Sequence, residues 1–289
     1  EKGIKDALRL SEAMTYKLAL IGSPYGGCKA AVFLPREGKG DEFLHDIGAL
    51  VEEEQGKFIA AIDFGFEPKD AITIREATEY IFAIVGSEFG QSGVTTAYGV
   101  LEGIKTSLKH VHGSDESEGK SFAVQGLGSV GEVVARKLID LGGKVSVSDL
   151  DETKLKEFKT IATIVPPEKF LGLDVDVLVP CGPAYILNKE TIPKLKSKII
   201  AGGANCLLED EVNDDELLYK SGILVAPDYV INAGGVIQGV EELTGGSTKN
   251  ATAKLPIISR NLKKIYKRSR EEERGTYSIA KEMALEKLS

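Results

Sequence analysis

The chain has 289 residues, with 36 Lys and Arg against 44 Asp and Glu, a net charge of −8, and 42% hydrophobic residues. That length suggests two domains, and the composition is globular, which excludes wholesale disorder. The acidic balance argues against a nucleic-acid partner, no apolar run is long enough for a spanning helix, and three scattered cysteines (Cys28, Cys181, Cys206) suit neither a disulfide scaffold nor a zinc ribbon, so a reducing cytoplasm is expected.

Ile4, Leu8 and Met14 share one helical face over residues 4–14. Residues 16–29 read as a loop, followed by an apolar run at 30–34 and a turn at 35–38. A helix is expected over 41–54, a strand over 57–62 ending at Asp63, a helix over 71–84, and a glycine-rich connection over 85–93. Val100, Leu101, Ile104, Leu108 and Val111 then follow helical spacing. Strands are expected at 121–125, 144–148, 175–179, 198–201 and 223–225, with helical stretches between them. Alternation of this kind predicts a parallel sheet covered on both faces. Helices at 232–243, 254–273 and 276–288 end the chain. The basic residues between Lys249 and Arg270 read as a solvated, salt-bridged helix face and not as a nucleic-acid surface.

Gly126-Leu127-Gly128-Ser129-Val130-Gly131 is a G-x-G-x-x-G between a strand and an amphipathic helix, and the next strand ends at Asp149. That context distinguishes a dinucleotide fingerprint from a structural glycine turn. Gly126 permits the tight turn, Gly128 lets backbone approach a pyrophosphate, and Gly131 allows close packing, while the helix start at Ser129 and Val130 offers N–H groups to phosphate. Asp149 is placed to accept both adenosine ribose hydroxyls and to repel a 2′-phosphate, which favours NAD over NADP.

Lys17 and Lys29 flank the glycine segment containing Gly26 and Gly27, and Asp63 follows at a strand end. Gly26 and Gly27 let backbone come close to a small ligand. Lys29 precedes Ala30-Ala31-Val32-Phe33-Leu34, so its base is expected against an apolar layer near a second cation, where a lysine loses its proton more readily.

Met14-Thr15-Tyr16-Lys17, Gly26-Gly27-Cys28-Lys29, Asp63-Phe64-Gly65, Val94-Thr95-Thr96-Ala97-Tyr98-Gly99-Val100, the fingerprint, Gly203-Ala204-Asn205 and Pro227-Asp228-Tyr229-Val230-Ile231-Asn232-Ala233-Gly234-Gly235-Val236 occur in one order. In this the chain resembles the glutamate/leucine/phenylalanine/valine dehydrogenases from Asp6 onward, with spacing nearest the leucine dehydrogenase-like branch. The resemblance implies a Rossmann dinucleotide-binding domain, a second α/β domain and a cleft between them. It implies NAD-dependent, reversible oxidative deamination of an L-amino acid to a 2-oxo acid and ammonia. Lys17 would then bind the substrate carboxylate, Lys29 would activate water and stabilise the carbinolamine, and Asp63 would exchange a proton with the substrate nitrogen. Thr96 would hold the nicotinamide amide, Ala204 and Asn205 would contact the nicotinamide ribose, Cys181 would pack near the ring, and Asn232 would touch cofactor and substrate together. No metal site is expected, and a homo-oligomer is.

Two positions depart from the family pattern. Cys28 replaces a small residue before the catalytic lysine, either as a filler or as an oxidation-sensitive thiol activated by Lys29. Seven residues after Asn232, where the glutamate branch has a serine, stands Gly239. The missing hydroxyl disfavours glutamate, and a glycine is expected to enlarge the pocket for a bulky apolar or aromatic side chain such as that of leucine, phenylalanine or tryptophan. The expected division is 1–92 with 271–289 for substrate and 93–270 for NAD. The family's upstream elements, with a second anchoring lysine and subunit contacts, are expected before Glu1. The alternatives are a glutamate dehydrogenase anchored by that segment and a regulatory NAD-binding protein without turnover.

Overall fold

The computed structural model describes residues 2–36, 38–61, 63, 65–82 and 92–289. It is an α/β protein with a six-stranded, wholly parallel sheet and a smaller two-stranded one. The large sheet comprises β3 (Ser121–Gln125), β4 (Lys144–Ser148), β5 (Thr163–Ile164), β6 (Val177–Pro180), β7 (Ile199–Ile200) and β8 (Leu224–Val225). Their spatial order is β5-β4-β3-β6-β7-β8. Counted within this sheet, that is 3-2-1-4-5-6, the order of a Rossmann domain, with the switch point between β3 and β6. Phe122, Ala123 and Val124 are consecutive and all fully buried, as a strand covered on both faces requires. Helices packed against the strands of this sheet are α4 (Ser92–His112), α5 (Gly131–Asp140), α6 (Glu152–Phe158) and α7 (Glu211–Lys220), while α9 (Gly234–Leu243) and α11 (Pro256–Glu272) pack on α4. The connection expected over 85–93 lies outside the described residues up to position 91, and its last two residues belong to α4.

The first helix, α1 (Lys2–Ile21), runs seven residues beyond the expected helix at 4–14. The sequence from Tyr16 to Leu20 looks irregular because every residue in it is buried, Lys17 included, which erases the amphipathic alternation. Gly22, at φ +72°, ends the helix. α1 packs on the last helix, α12 (Thr276–Leu288), and shares the core of the large sheet through Tyr16, Ala19 and Leu20.

A second, smaller core gathers Leu44, Ala71, Ile74 and Ile81. It is built by α2 (Asp41–Glu53), α3 (Pro68–Arg75), β1 (Ala60–Ala61) and β2 (Ile81–Phe82), with the two strands parallel. The strand expected over 57–62 is two residues long here, with Ile62 outside the described residues. The helix expected over 71–84 stops at Arg75. Thr78 turns the chain there by donating to Glu52 Oε2 at 2.7 Å and accepting the Tyr80 N–H at 3.1 Å. The run at 30–34 forms no regular element, and Val32, Phe33 and Leu34 are 42%, 77% and 55% exposed.

Candidate active site

The fingerprint glycines are distinguished by the space around them. Gly126 has φ +86°, and a Cβ there would stand 2.8 Å from the Cys181 backbone. A Cβ on Gly131 would stand 1.8 Å from the Gly126 carbonyl oxygen, so close packing of α5 on the strand end admits only glycine. Around Gly128 nothing lies within 4 Å, which leaves its backbone open to a ligand. Val130, at the start of α5, offers no side-chain cap; the Glu132 N–H is taken by the Gly128 carbonyl at 3.1 Å, and the positive end of the helix dipole lies at the glycine loop. Ser129 packs its Cβ and Oγ where a side chain on Gly93 would be. Asp149 accepts the Leu127 N–H at 2.5 Å and the Asp151 N–H at 2.8 Å, which fixes its carboxylate beside the glycine turn.

The turn after β6 lies next to this loop. Cys181 donates its N–H to Gln125 O at 2.7 Å, and its sulfur accepts the Gly203 N–H at 3.4 Å. Burial pushes the Cys181 thiol up to about 11, which suits packing and not nucleophilic attack. Asn232 donates from Nδ2 to Asn205 Oδ1 at 2.8 Å, and to the carbonyls of Gly203 and Ala204 at 3.3 and 3.4 Å. Its own Oδ1 is buried without a partner, as are Gln125 Oε1 and Ser148 Oγ. Orphaned buried polar atoms carry a cost, so three of them at the strand ends and the Asn205 turn fit a polar group docking there. Thr96, one turn into α4, donates to Ser92 O at 2.9 Å, and its Oγ1 would meet a Cβ on Gly235 at 2.7 Å. Thr96, the fingerprint, Cys181, Ala204, Asn205 and Asn232 are thus set around the sheet's switch-point side, where open α/β sheets bind ligands.

On the other side, Lys17 is 8% exposed on α1, and no carboxylate among the described residues lies within ion-pair distance of it. Burial pulls its ammonium down to about 8; Asp228 opposes the shift, Lys29 adds to it, and Asp63 opposes it. Lys29 pairs with Asp63 through a hydrogen-bonded ion pair on a more exposed surface. A Cβ on Gly27 would stand 2.1 Å from Thr15 N, so this glycine lets the loop lie against α1, whereas Gly26 faces open space. The apolar wall expected behind Lys29 is absent, since the run that follows it is exposed, and the lysine that burial desolvates is Lys17.

The sequence matches the Glutamate/Leucine/Phenylalanine/Valine dehydrogenase family over residues 86–153 and 148–289. L-tryptophan dehydrogenase of Nostoc punctiforme is 38% identical over 291 residues, spanning all of this chain and 82% of that protein. The chain belongs to this dehydrogenase family. Leucine dehydrogenase of Geobacillus stearothermophilus is 38% identical over 296 residues, all of this chain and 80% of that one. The crystal structure of the Nostoc punctiforme enzyme covers 98% of this chain, which covers 83% of it, at a TM-score of 0.85. As a family member the chain is an amino acid dehydrogenase, an oxidoreductase acting on CH–NH2 donors.

Two family positions differ from expectation in their surroundings. Around Cys28, partial burial pushes the thiol up more than Lys29 pulls it down, which disfavours an activated thiolate. At Gly239 the room left by the missing side chain is taken by the Phe82 ring. Phe82 went unnoticed as a site residue in the sequence. It carried no signal, because its neighbour at Gly239 is 157 positions away in sequence. Among the described residues no group of three His, Cys, Asp or Glu could hold a metal ion.

Proposed function

We propose that this dehydrogenase carries out NAD-dependent, reversible oxidative deamination of a bulky apolar or aromatic L-amino acid. The observation that carries the reading is the buried Lys17 cation, without an ion-pair partner among the described residues, in electrostatic reach of the Lys29–Asp63 pair. A buried cation in that state is a receptor for a carboxylate, and a lysine–aspartate pair beside it can pass protons at the neighbouring carbon and nitrogen. Lys17 orients the substrate by its carboxylate. Lys29 takes a proton from the attacking water and stabilises the developing carbinolamine oxygen, and Asp63 exchanges a proton with the substrate nitrogen. Asn232 presents Oδ1 toward cofactor and substrate, and Gly26 and Gly27 shape the floor. When bound, the nicotinamide supplies the acceptor for the α-hydrogen as hydride. Gly126, Gly128, Ser129, Val130, Gly131 and Asp149 would hold its adenosine diphosphate half, and Thr96, Cys181, Ala204 and Asn205 its nicotinamide half. The position of Asp149 favours NAD over NADP.

The substrate class is supported by the relatives, which include a phenylalanine dehydrogenase from Lysinibacillus sphaericus at 36% identity over 277 residues, besides the tryptophan and leucine enzymes. Residues 1–92 with 271–289 would form the substrate domain and 93–270 the NAD domain, with the cleft between. The working form would be a cytoplasmic homo-oligomer. No described helix is long and apolar enough to cross a membrane. The test is NADH formation near pH 8, below which Lys17 keeps its charge, with each of the twenty amino acids, repeated with NADP. Turnover with leucine, phenylalanine or tryptophan and NAD is expected. Preference for glutamate would sink the substrate assignment, and no turnover with any amino acid would sink the reaction.

A further inference from the structure

Asp63 stands at the head of a short turn, with its side chain exposed. Its carbonyl accepts the Phe66 N–H at 3.0 Å, and Gly65 takes φ +89°. A glycine turn does not hold one geometry by itself, because glycine adopts many conformations at similar cost. One side chain closes on this turn from three directions. Lys39, directly before the N-cap Gly40 of α2, donates from Nζ to the Gly65 carbonyl at 2.7 Å. The same ammonium lies over the Phe66 ring, 5.2 Å from its centroid. It also forms a hydrogen-bonded ion pair with Asp70, whose side chain is buried. Asp70 in turn accepts the Glu67 N–H at 2.7 Å and closes a capping box at the start of α3. Burial pushes the Asp70 carboxyl up, but the Glu67 N–H and the Lys39 ammonium outweigh it, so the carboxyl lies below its ordinary value.

We propose that Lys39 is a positioning residue for Asp63: by tying Gly65, Phe66 and Asp70 together, it fixes the turn from which the Asp63 carboxylate meets Lys29 and the substrate nitrogen. A lysine that met Asp70 alone would be a structural counterion. The bond to the Gly65 carbonyl and the contact with the Phe66 ring carry it onto the turn of Asp63. The two members of the proton-exchanging pair come from different parts of the chain. Lys29 follows the glycine loop that lies against α1, whereas the turn of Asp63 is fastened to the small core, where Phe66 packs. The pair between them is exposed, and exposed pairs are too weak to impose a geometry. The geometry is therefore set by what holds each backbone, and for Asp63 that is Lys39. A misplacement of about 1 Å at a reacting group costs up to about a hundredfold in rate. Release of the turn thus slows the chemistry and leaves the Lys17 anchor and the dinucleotide loop as they are.

The task given to Asp63 rests on the dehydrogenase reading, and the experiment separates the two. Lys39→Met and Lys39→Arg are compared with the parent. Lys39→Met leaves Asp70 buried without its counterion, which is costly. Lys39→Met combined with Asp70→Asn removes that charge too and keeps an acceptor for the Glu67 N–H. Hydrogen exchange of the Phe66 amide, taken relative to the amides of α2, reads the turn itself. It should quicken about tenfold in both Met variants and stay parental in Lys39→Arg. In the amino acid assay, kcat should fall about tenfold in both Met variants and recover in Lys39→Arg. KM for the amino acid and for NAD should change by less than about twofold. In an Asp63→Asn background, Lys39→Met should lower kcat by less than about twofold, because the acid it positions is gone. A merely structural Lys39 would lower Tm and cost the same factor in kcat in either background, and that result overturns the proposal. So do parental exchange in both Met variants, quickened exchange with unchanged kcat, and failure of both Met variants to fold. A parent without turnover refutes the dehydrogenase reading alone, and the exchange rates then decide whether Lys39 holds the turn.

Discussion

Phe82 lies against Gly239: a Cβ built on the glycine would stand 2.5 Å from Cε2 of the ring. The strand carrying Phe82 pairs it with Ala61, two residues before Asp63, so the ring sits at the junction of α9 and the segment that carries Asp63. Removing the ring opens the space that glycine alone leaves unfilled. Phe82→Ala should move kcat/KM toward the larger side chains, tryptophan over leucine, by about tenfold. Gly239→Val, which collides with the ring, should lower kcat/KM for all substrates. Equal ratios in parent and Phe82→Ala would remove Phe82 from the specificity surface.

Lys29→Ala and Asp63→Asn should each cost about a thousandfold in kcat while leaving NAD binding intact, as loss of general acid–base groups does. Their pair is exposed enough that Tm should barely move, because such pairs contribute at most about 1 kcal/mol. Titration of the variants with NADH by fluorescence, beside turnover, checks both halves. A regulatory protein without turnover would show no change in either.

Lys17 sets an alkaline limb. Its folded value of about 8 lies below the ordinary 10.5, so the folded chain sheds this proton first as pH rises. Amino acid binding should weaken above about pH 8, because the carboxylate loses its cation. Stability moves the other way: the cost of burying the charge is present below pH 8 and is relieved between 8 and 10.5, by roughly 3 kcal/mol in full. The difference in unfolding free energy between parent and Lys17→Met, followed from pH 7 to 10, should rise by that order.

The fingerprint glycines separate stability from binding. Gly131→Ala should destabilise by about 1–3 kcal/mol or more, since the colliding atom is backbone and cannot turn aside. Gly128→Ala meets nothing within 4 Å and should melt like the parent. It should nonetheless bind dinucleotide roughly tenfold more weakly, about 1.4 kcal/mol. Calorimetry of both variants with and without NADH distinguishes them.

Cys28→Ala should lose activity to hydrogen peroxide as fast as the parent does, because the thiol is pushed up and stays protonated. Slower inactivation of the variant would restore the redox reading of this cysteine.

Five strands of the large sheet and its dinucleotide loop are legible in the sequence, because short strand runs there are bounded by turn residues and the loop's glycines sit at fixed offsets, whereas β5 (Thr163–Ile164), two exposed residues long, carries no such signal and is not expected from it. The helix 276–288 matched residue for residue with α12. Residues 16–21 were not legible as helix, because a helix buried on all sides carries no periodic signal. The helix expected over 71–84 absorbed a two-residue strand, too short to show alternation. Lys29 was assigned a wall from the apolar letters after it, yet hydrophobic residues in sequence become a wall only when the chain folds them inward. The approach of Phe82 to Gly239 joins segments distant in sequence, which local pattern cannot encode.

The bond from Lys281 Nζ to Glu12 Oε1, 2.9 Å long, spans 269 positions of the chain. It belongs to the seam between α1 and α12, and Lys17 sits on α1. During synthesis α1, with Lys17, emerges well before α12 and finds that helical partner only when α12 has left the ribosome. Contacts of such separation are slow to form and leave apolar faces uncovered meanwhile. Mutations along the seam, such as at Ala280 or Met283, should therefore show first as poor yield of folded chain and only afterwards as altered kinetics.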